Sequence, residues 1–337
     1  VLSFETYLYD EDSAGNLFRT FAFQPTEQRE VISRSGGMGQ WSVSLGANYK
    51  DFLYLGGGLN IHSLNRNTEI RYTEVFPDIN GYPLENGTPT QSGIYELQID
   101  EFRDTDGIGI GANFGAIVKP VPFLNLGVSY QTPMVMRVTE FQTIEMTAFF
   151  DNYEYVTGNG DEEILNTVFS DRNFENVHTY RSPGRLNVGA ALFAGKYGFL
   201  SGDVEFVNYE NARFSSNDFE VDLENDDINN IYTNVINYRL GLELRYNILR
   251  LRGGYAYNAN PFVDGFADNS FQTVNFGGGI RNDNFFADLS ISLSEFNRVR
   301  TPYNIFPEDG LPETQVNYEA TTSLSRTRAI LSVGFFF

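Results

Sequence analysis

Four arginines fall on alternate positions of two adjacent segments: Arg239 and Arg245 within 238–246, Arg250 and Arg252 within 249–258. A guanidinium is a planar fork of donors that fits a carboxylate in two parallel hydrogen bonds. These four are therefore the candidate substrate-binding residues, suited to an acidic head group. The alternative is structural. Arg185, Asp203, Glu205, Glu243, Arg281, Asp288, Arg326 and Arg328 occupy equivalent positions, and with the four arginines they would form a charge lattice that fills and stiffens an interior.

Other constellations carry less chemistry. Asp161, Glu162 and Glu163, then Asp222, Glu224, Asp226 and Asp227, offer oxygens of the kind a hard cation takes. The second run lacks the spacing of an EF-hand loop, and solvated loops explain both without a metal. Gly107, Gly109 and Gly111 hint at a nucleotide loop, but such a loop must open a helix, and this run continues as a strand. His62 and His178 are the only histidines and stand far apart. His62 falls on a polar face, where it is expected to serve as a hydrogen-bonding group. No Ser/His/Asp order stands out. The expectations are no catalytic residue, no metal, no cofactor and no enzyme.

The elements that must position these residues are strands. In 41–50, Trp41, Val43, Leu45, Ala47 and Tyr49 alternate with Ser42, Ser44, Gly46, Asn48 and Lys50. The same period of two runs through 108–119, 185–194, 238–246, 249–258 and 285–294. Each run has about the ten residues that a tilted barrel strand needs to cross a bilayer. Short turns are expected at 50–51, 119–122, 195–198, 247–248 and 282–284, and long polar loops near 74–105, 148–180, 214–230, 259–270 and 297–320. That asymmetry is the transmembrane-barrel arrangement. Eleven to thirteen strands can be counted, with the first 30 residues hardest to read.

Composition agrees. The 337 residues include no Cys, 30 Phe, 20 Tyr and 32 Gly, and no apolar run is long enough for a membrane helix. The 44 acidic against 23 basic residues exclude nucleic acid as a partner and argue against a basic patch for anionic lipid. Arg or Lys on the lipid face of a barrel costs about 2–4 kcal/mol at the midplane. The charged face must therefore be lumen and the apolar face lipid. Tyr49, Tyr130, Tyr246 and Tyr257 lie near strand ends, where an aromatic girdle belongs. The chain ends Ser332-Val333-Gly334-Phe335-Phe336-Phe337, which resembles the assembly signal of outer-membrane barrels. It starts at Val1 without a leader, so a signal peptide and further N-terminal sequence are expected to precede it.

Several segments resemble the FadL-type outer-membrane transporters (the OmpP1/FadL/TodX group), particularly the Bacteroidetes versions. They are 48–56 (NYKDFLYLG), 115–120 (GAIVKP), 126–133 (LGVSYQTP), 182–186 (SPGRL), 198–206 (GFLSGDVEF) and 251–255 (LRGGY). The resemblance runs from about residue 40 to the C-terminus. It implies an all-β fold: a transmembrane antiparallel β-barrel of about fourteen strands in the full-length protein, multi-pass in the outer membrane of a Gram-negative cell. It also implies an N-terminal plug, which is not recognisable in 1–40, so 1–337 is expected to be a single barrel domain. The implied function is transport of hydrophobic small molecules such as long-chain fatty acids. The implied partners are the lipid bilayer, lipopolysaccharide and a hydrophobic ligand. The family also includes a partner of the type 9 secretion machinery, so an accessory barrel in a larger outer-membrane complex is the alternative. A general diffusion porin is the third reading.

Overall fold

The computed structural model describes residues 2–11, 17–19, 26–76, 93–156, 162–263, 268–300, 304–305, 316–317 and 320–336. Fourteen strands pair into one sheet. They are β1 (Glu27–Tyr49), β2 (Leu53–Val75), β3 (Ile94–Val121), β4 (Leu124–Gln131), β5 (Val135–Val156), β6 (Glu162–Arg181) and β7 (Arg185–Phe193), continuing with β8 (Gly198–Asn208), β9 (Arg213–Ser215), β10 (Asn234–Tyr246), β11 (Leu249–Asn258), β12 (Phe271–Arg281), β13 (Phe285–Arg300) and β14 (Ala320–Phe335). This is the all-β antiparallel barrel class that the alternation implies, and fourteen strands exceed the eleven to thirteen counted in the sequence. No helix among the described residues is long and apolar enough to cross a membrane.

The chain divides into two compact units. The larger comprises residues 40–62, 108–137 and 178–337. Its strands are joined at one end by tight turns. Lys50 and Asp51 both have positive φ (52° and 54°), the type I′ geometry whose twist matches antiparallel strands. Asn48 closes that turn by accepting from the Asp51 amide at 2.9 Å. Asn247 supplies the positive φ of the β10–β11 turn, and Asn282 accepts from the amides of Asn284 and Phe285 before β13. The turn expected at 119–122 is displaced to 122–123. Lys119 and Pro120 lie inside β3, where the register shifts between Val118 and Val121 and tolerates a residue without an N–H.

One face of this unit is apolar and exposed. Trp41 is 78% exposed, Leu45 82%, Ile108 71% and Leu331 71%, and alternate residues of β7, β8, β10, β11 and β13 continue the face. An apolar surface this extensive marks a membrane or partner interface rather than one left to water. Tyr49 and Tyr246 stand exposed beside the turns, Tyr130 half-exposed at the far end of β4, and Tyr257 is partly buried.

The smaller unit comprises residues 1–39, 63–107 and 138–177. Here the loop expected at 148–180 is largely strand, the end of β5 and most of β6; of the loop expected at 74–105, the described ends belong to β2 and β3, and 77–92 lie outside the described residues. Likewise β1 begins at Glu27, within a segment where no strand was legible. These stretches lack one clean apolar face, because charges pair across the sheet. Arg71 meets Asp100 at 2.6 Å, and Arg103 bonds Glu101 and lies 3.7 Å from Glu140. The core is Leu8, Phe76, Ile94, Leu97, Ala148, Phe150 and Leu165.

The helical turn α1 (Leu2–Glu5) leads into that core. Thr6 is fully buried and its hydroxyl bonds the Leu2 carbonyl at 2.9 Å. The Tyr7 hydroxyl donates to Glu163 at 2.9 Å. The Glu5 carboxylate accepts from Ser170 and Arg172, and these bonds, Ser170 first, hold its pKa below the usual carboxylate range.

A lowered folded-state pKa stabilises above the unfolded value and is lost as pH falls through the folded one. Amide protection of residues 2–8, relative to free amides, should therefore hold at neutral pH and fall only under acid, below the ordinary carboxylate value, whereas Glu5→Gln should lower it already at neutral pH. On the apolar face, Leu242→Arg should cost about 2–4 kcal/mol in lipid. Ser201→Arg, on the opposite face beside Gly241 and Ala191, should cost under about half of that, as read by urea unfolding in vesicles.

Candidate lumenal site

The polar face of the larger unit carries two clusters of ion pairs, one across β7, β8 and β10 and one across β10, β11 and β13. Register places the partners. Asp203 lies opposite Arg239, and Glu243 opposite Arg252, so the side chains meet on one face. Arg239 bonds Asp203 at 3.1 Å and Glu205 at 3.0 Å, and Arg185 lies 3.9 Å from Glu205. Glu205 is 5% exposed and also accepts from Asn237 at 2.9 Å. Glu243 holds Arg245 and Arg252, each at 2.6 Å, and Arg252 reaches on to Asp288 at 2.6 Å.

Of the four candidate arginines, Arg239, Arg245 and Arg252 are thus engaged by carboxylates. Arg250 instead donates to the backbone carbonyls of Asn247 and Leu249, at 2.7 and 2.9 Å. Arg281 stands over the rings of Phe286 and Phe336, 5.3 and 5.2 Å from their centroids. Among the described residues, no ion pair reaches Arg326 or Arg328. The ion pairs form two clusters, and the charges balance within each: Arg185 and Arg239 against Asp203 and Glu205, Arg245 and Arg252 against Glu243 and Asp288.

Beside the lattice lies a cavity of ≈ 1010 Å³ whose polar lining is uncharged except for Asp203. Gln40 and Ser42 bond Asn60 at 3.1 and 2.8 Å, and Asn60 donates to Asn113 at 2.9 Å. Gly46, Gly56, Gly57, Gly115, Gly127 and Gly189 leave the space that side chains would fill, and Ile117 adds apolar surface. Sequence reading missed this amide chain. Its signal was the repeated Asn and Gln at polar positions of 40–60 and 113–131.

The remaining candidates fall elsewhere. His62 is 6% exposed, and its Nδ1 has no hydrogen-bond partner. Gly111 lies near its ring, and a Cβ there would also touch Met134. His178 packs edge-on to Phe214, 5.4 Å between centroids. Gly107, Gly109 and Gly111 are inside β3, and a Cβ on Gly109 would crowd Met136. The acids 222–227 are not a loop but part of α2 (Asp222–Ile231), whose one buried residue is Ile228. Asp161 and Phe337 lie outside the described residues.

No protein-family model matches the chain, and no curated protein matches it. Among solved structures, the chain is similar to the Pseudomonas putida toluene transporter TodX, with a TM-score of 0.41 and 13% identity over 91% of this chain and 87% of that one. It is also similar to the TodX deltaS2S3 mutant, a monoaromatic hydrocarbon channel, with a TM-score of 0.43 and 14% identity over 92% and 89%.

Glu243 is the pivot of the lattice. Removing it leaves Arg245 without a carboxylate and Arg252 with Asp288 alone, whereas removing Arg245 leaves Glu243 paired with Arg252. Glu243→Ala should destabilise by about 2–3 kcal/mol, discounted for the exposure of the arginines, and Arg245→Gln by about 1 kcal/mol or less. Equal losses in chemical unfolding would contradict that arrangement.

Proposed function

We propose that residues 1–337 form one outer-membrane barrel domain of a Gram-negative cell and that the barrel is a transporter admitting hydrophobic small molecules. The observation that carries this is the pairing of two faces on the same strands: one apolar and exposed, the other polar with every lattice charge answered. Lipid requires the first, and a water-accessible interior accommodates the second. The partners on this reading are the bilayer and an uncharged or weakly polar ligand, and the chain is no enzyme.

The balance of charge speaks to substrate. A free carboxylate entering among Arg239, Arg245 and Arg252 would have to displace Asp203, Glu205, Glu243 or Asp288. The lattice role therefore suits these arginines better than head-group capture. The neutral amide-lined cavity at Asn60 and Asn113 suits a ligand without formal charge. Within the hydrophobic class, aromatic hydrocarbons and neutral lipophiles fit better than long-chain fatty acids, although the sequence resemblance includes both. TodX, similar in structure, is titled a toluene transporter.

In a strain lacking the gene, uptake of labelled toluene-like compounds should fall severalfold, with a smaller change for labelled fatty acid. Unchanged uptake across a panel of both would remove the transport reading. A larger loss for fatty acid would reverse the substrate order.

A further inference from the structure

The wall of the larger unit is interrupted where β4 and β7 part. β4 pairs with β7 up to Gln131 opposite Arg185, and then both chains leave the ladder, at 132–134 and 182–184. Thr132 and Met134 find their backbone partners at Ala112 and Ser182. On the other flank, β8 ends at Asn208 and the chain re-enters the sheet at β9, where Arg213 lies directly opposite Arg181. A cavity of ≈ 740 Å³ opens at this interruption.

Its lining has two chemistries. Leu186, Phe206 and Ile236 belong to the exposed apolar face. Arg181 and Arg213 supply positive charge, and no carboxylate lines the cavity. Like charges directly opposite one another across a ladder repel. Arg245 and Arg250 also lie opposite one another, but there Glu243 holds Arg245, whereas among the described residues no ion pair reaches Arg181 or Arg213. Arg213 is fixed in place by neutral acceptors: the carbonyls of Glu210 and Ala212, the latter at 2.6 Å, and Asn229 Oδ1 at 2.7 Å. Those bonds orient the guanidinium without cancelling its charge. Asn208 adds a buried side-chain amide whose Oδ1 has no partner.

The level of the notch is set by strand length. It lies at the end of β7 and β8 opposite their tight turn, and these strands have 9 and 11 residues. That is about one bilayer crossing. With short turns at the periplasmic rim, the two guanidinium groups stand at the head-group level of the outer leaflet, with an apolar wall below them.

We propose that this notch binds a phosphorylated, multiply acylated lipid of the outer leaflet, the lipid A portion of lipopolysaccharide. A phosphate bridges Arg181 and Arg213, and an acyl chain lies on Leu186, Phe206 and Ile236. The net acidity of the chain does not oppose this, because the site is a local pair free of carboxylates. The site rests on the outer-membrane reading but not on transport.

The test uses the purified full chain in dodecylmaltoside, with native mass spectrometry following titration of bisphosphoryl lipid A, phosphatidylcholine and inorganic phosphate. Arg181→Gln removes an exposed side chain that makes no ion pair, so the fold is retained, which heat-modifiable gel mobility checks. It should weaken lipid A binding about tenfold. Arg213→Lys, which keeps the charge but loses the fork, should weaken it less. Lys196→Gln, at the opposite end of the same strands, should leave it unchanged. Phosphatidylcholine should not compete. Equal lipid A affinity in the wild type and Arg181→Gln overturns the site. Inorganic phosphate displacing the lipid at comparable affinity overturns the lipid in favour of a bare anion. Unchanged uptake in the strain lacking the gene, with lipid A binding intact, counts against the transport reading alone.

Discussion

A charge facing hydrocarbon costs a few kcal/mol, comparable with a large part of a domain's net stability. Because side chains alternate along a strand, every charge must therefore sit in one parity of its strand. That parity then decides which residues meet across the ladder. Arg239 reaches Asp203 and Glu205, and Glu243 reaches Arg252, because register brings equal-parity residues opposite one another. The lattice and the apolar face are two consequences of one constraint. A slip of a single residue in β10 would place Arg239 and Arg245 in lipid, so the same constraint pins the register.

Much of this was legible in the sequence, and the reason is physical. Where one face meets lipid, composition must alternate, so 41–50, 108–119, 238–246 and 285–294 read directly as strands. Turns were legible where backbone geometry demanded Asn or Asp, as at 50–51 and 247–248. The turn after β3 was misplaced because Pro120 reads as a breaker, yet it sits at a register irregularity that needs no donor.

What remained hidden lies where the constraint relaxes. In 94–107, Glu96, Asp100, Glu101 and Arg103 interrupt any alternation, because ion pairs and a small mixed core stabilise the strand instead of lipid. The same holds for 162–181 and for 27–40. The helix at 222–231 buries one side chain, Ile228, so it has almost no apolar stripe to betray it. The uncharged cavity was invisible for another reason. Asn60 and Asn113 are far apart in sequence and are joined only by the sheet.

The paired interruptions at 132–134 and 182–184 bear on how such a chain can change. β4 and β7 are already hydrogen-bonded neighbours, from Leu124–Leu192 to Gln131–Arg185. Everything between them, β5 and β6 included, is an excursion inserted between two partners that a short connection would otherwise join. The excursion can lengthen, shorten or be exchanged between relatives without altering a single pairing of β4 with β7. The ladder of β4 with β7 is thus a fixed seam, about which the lengths of β5 and β6 can diverge while both remain strands of the same sheet.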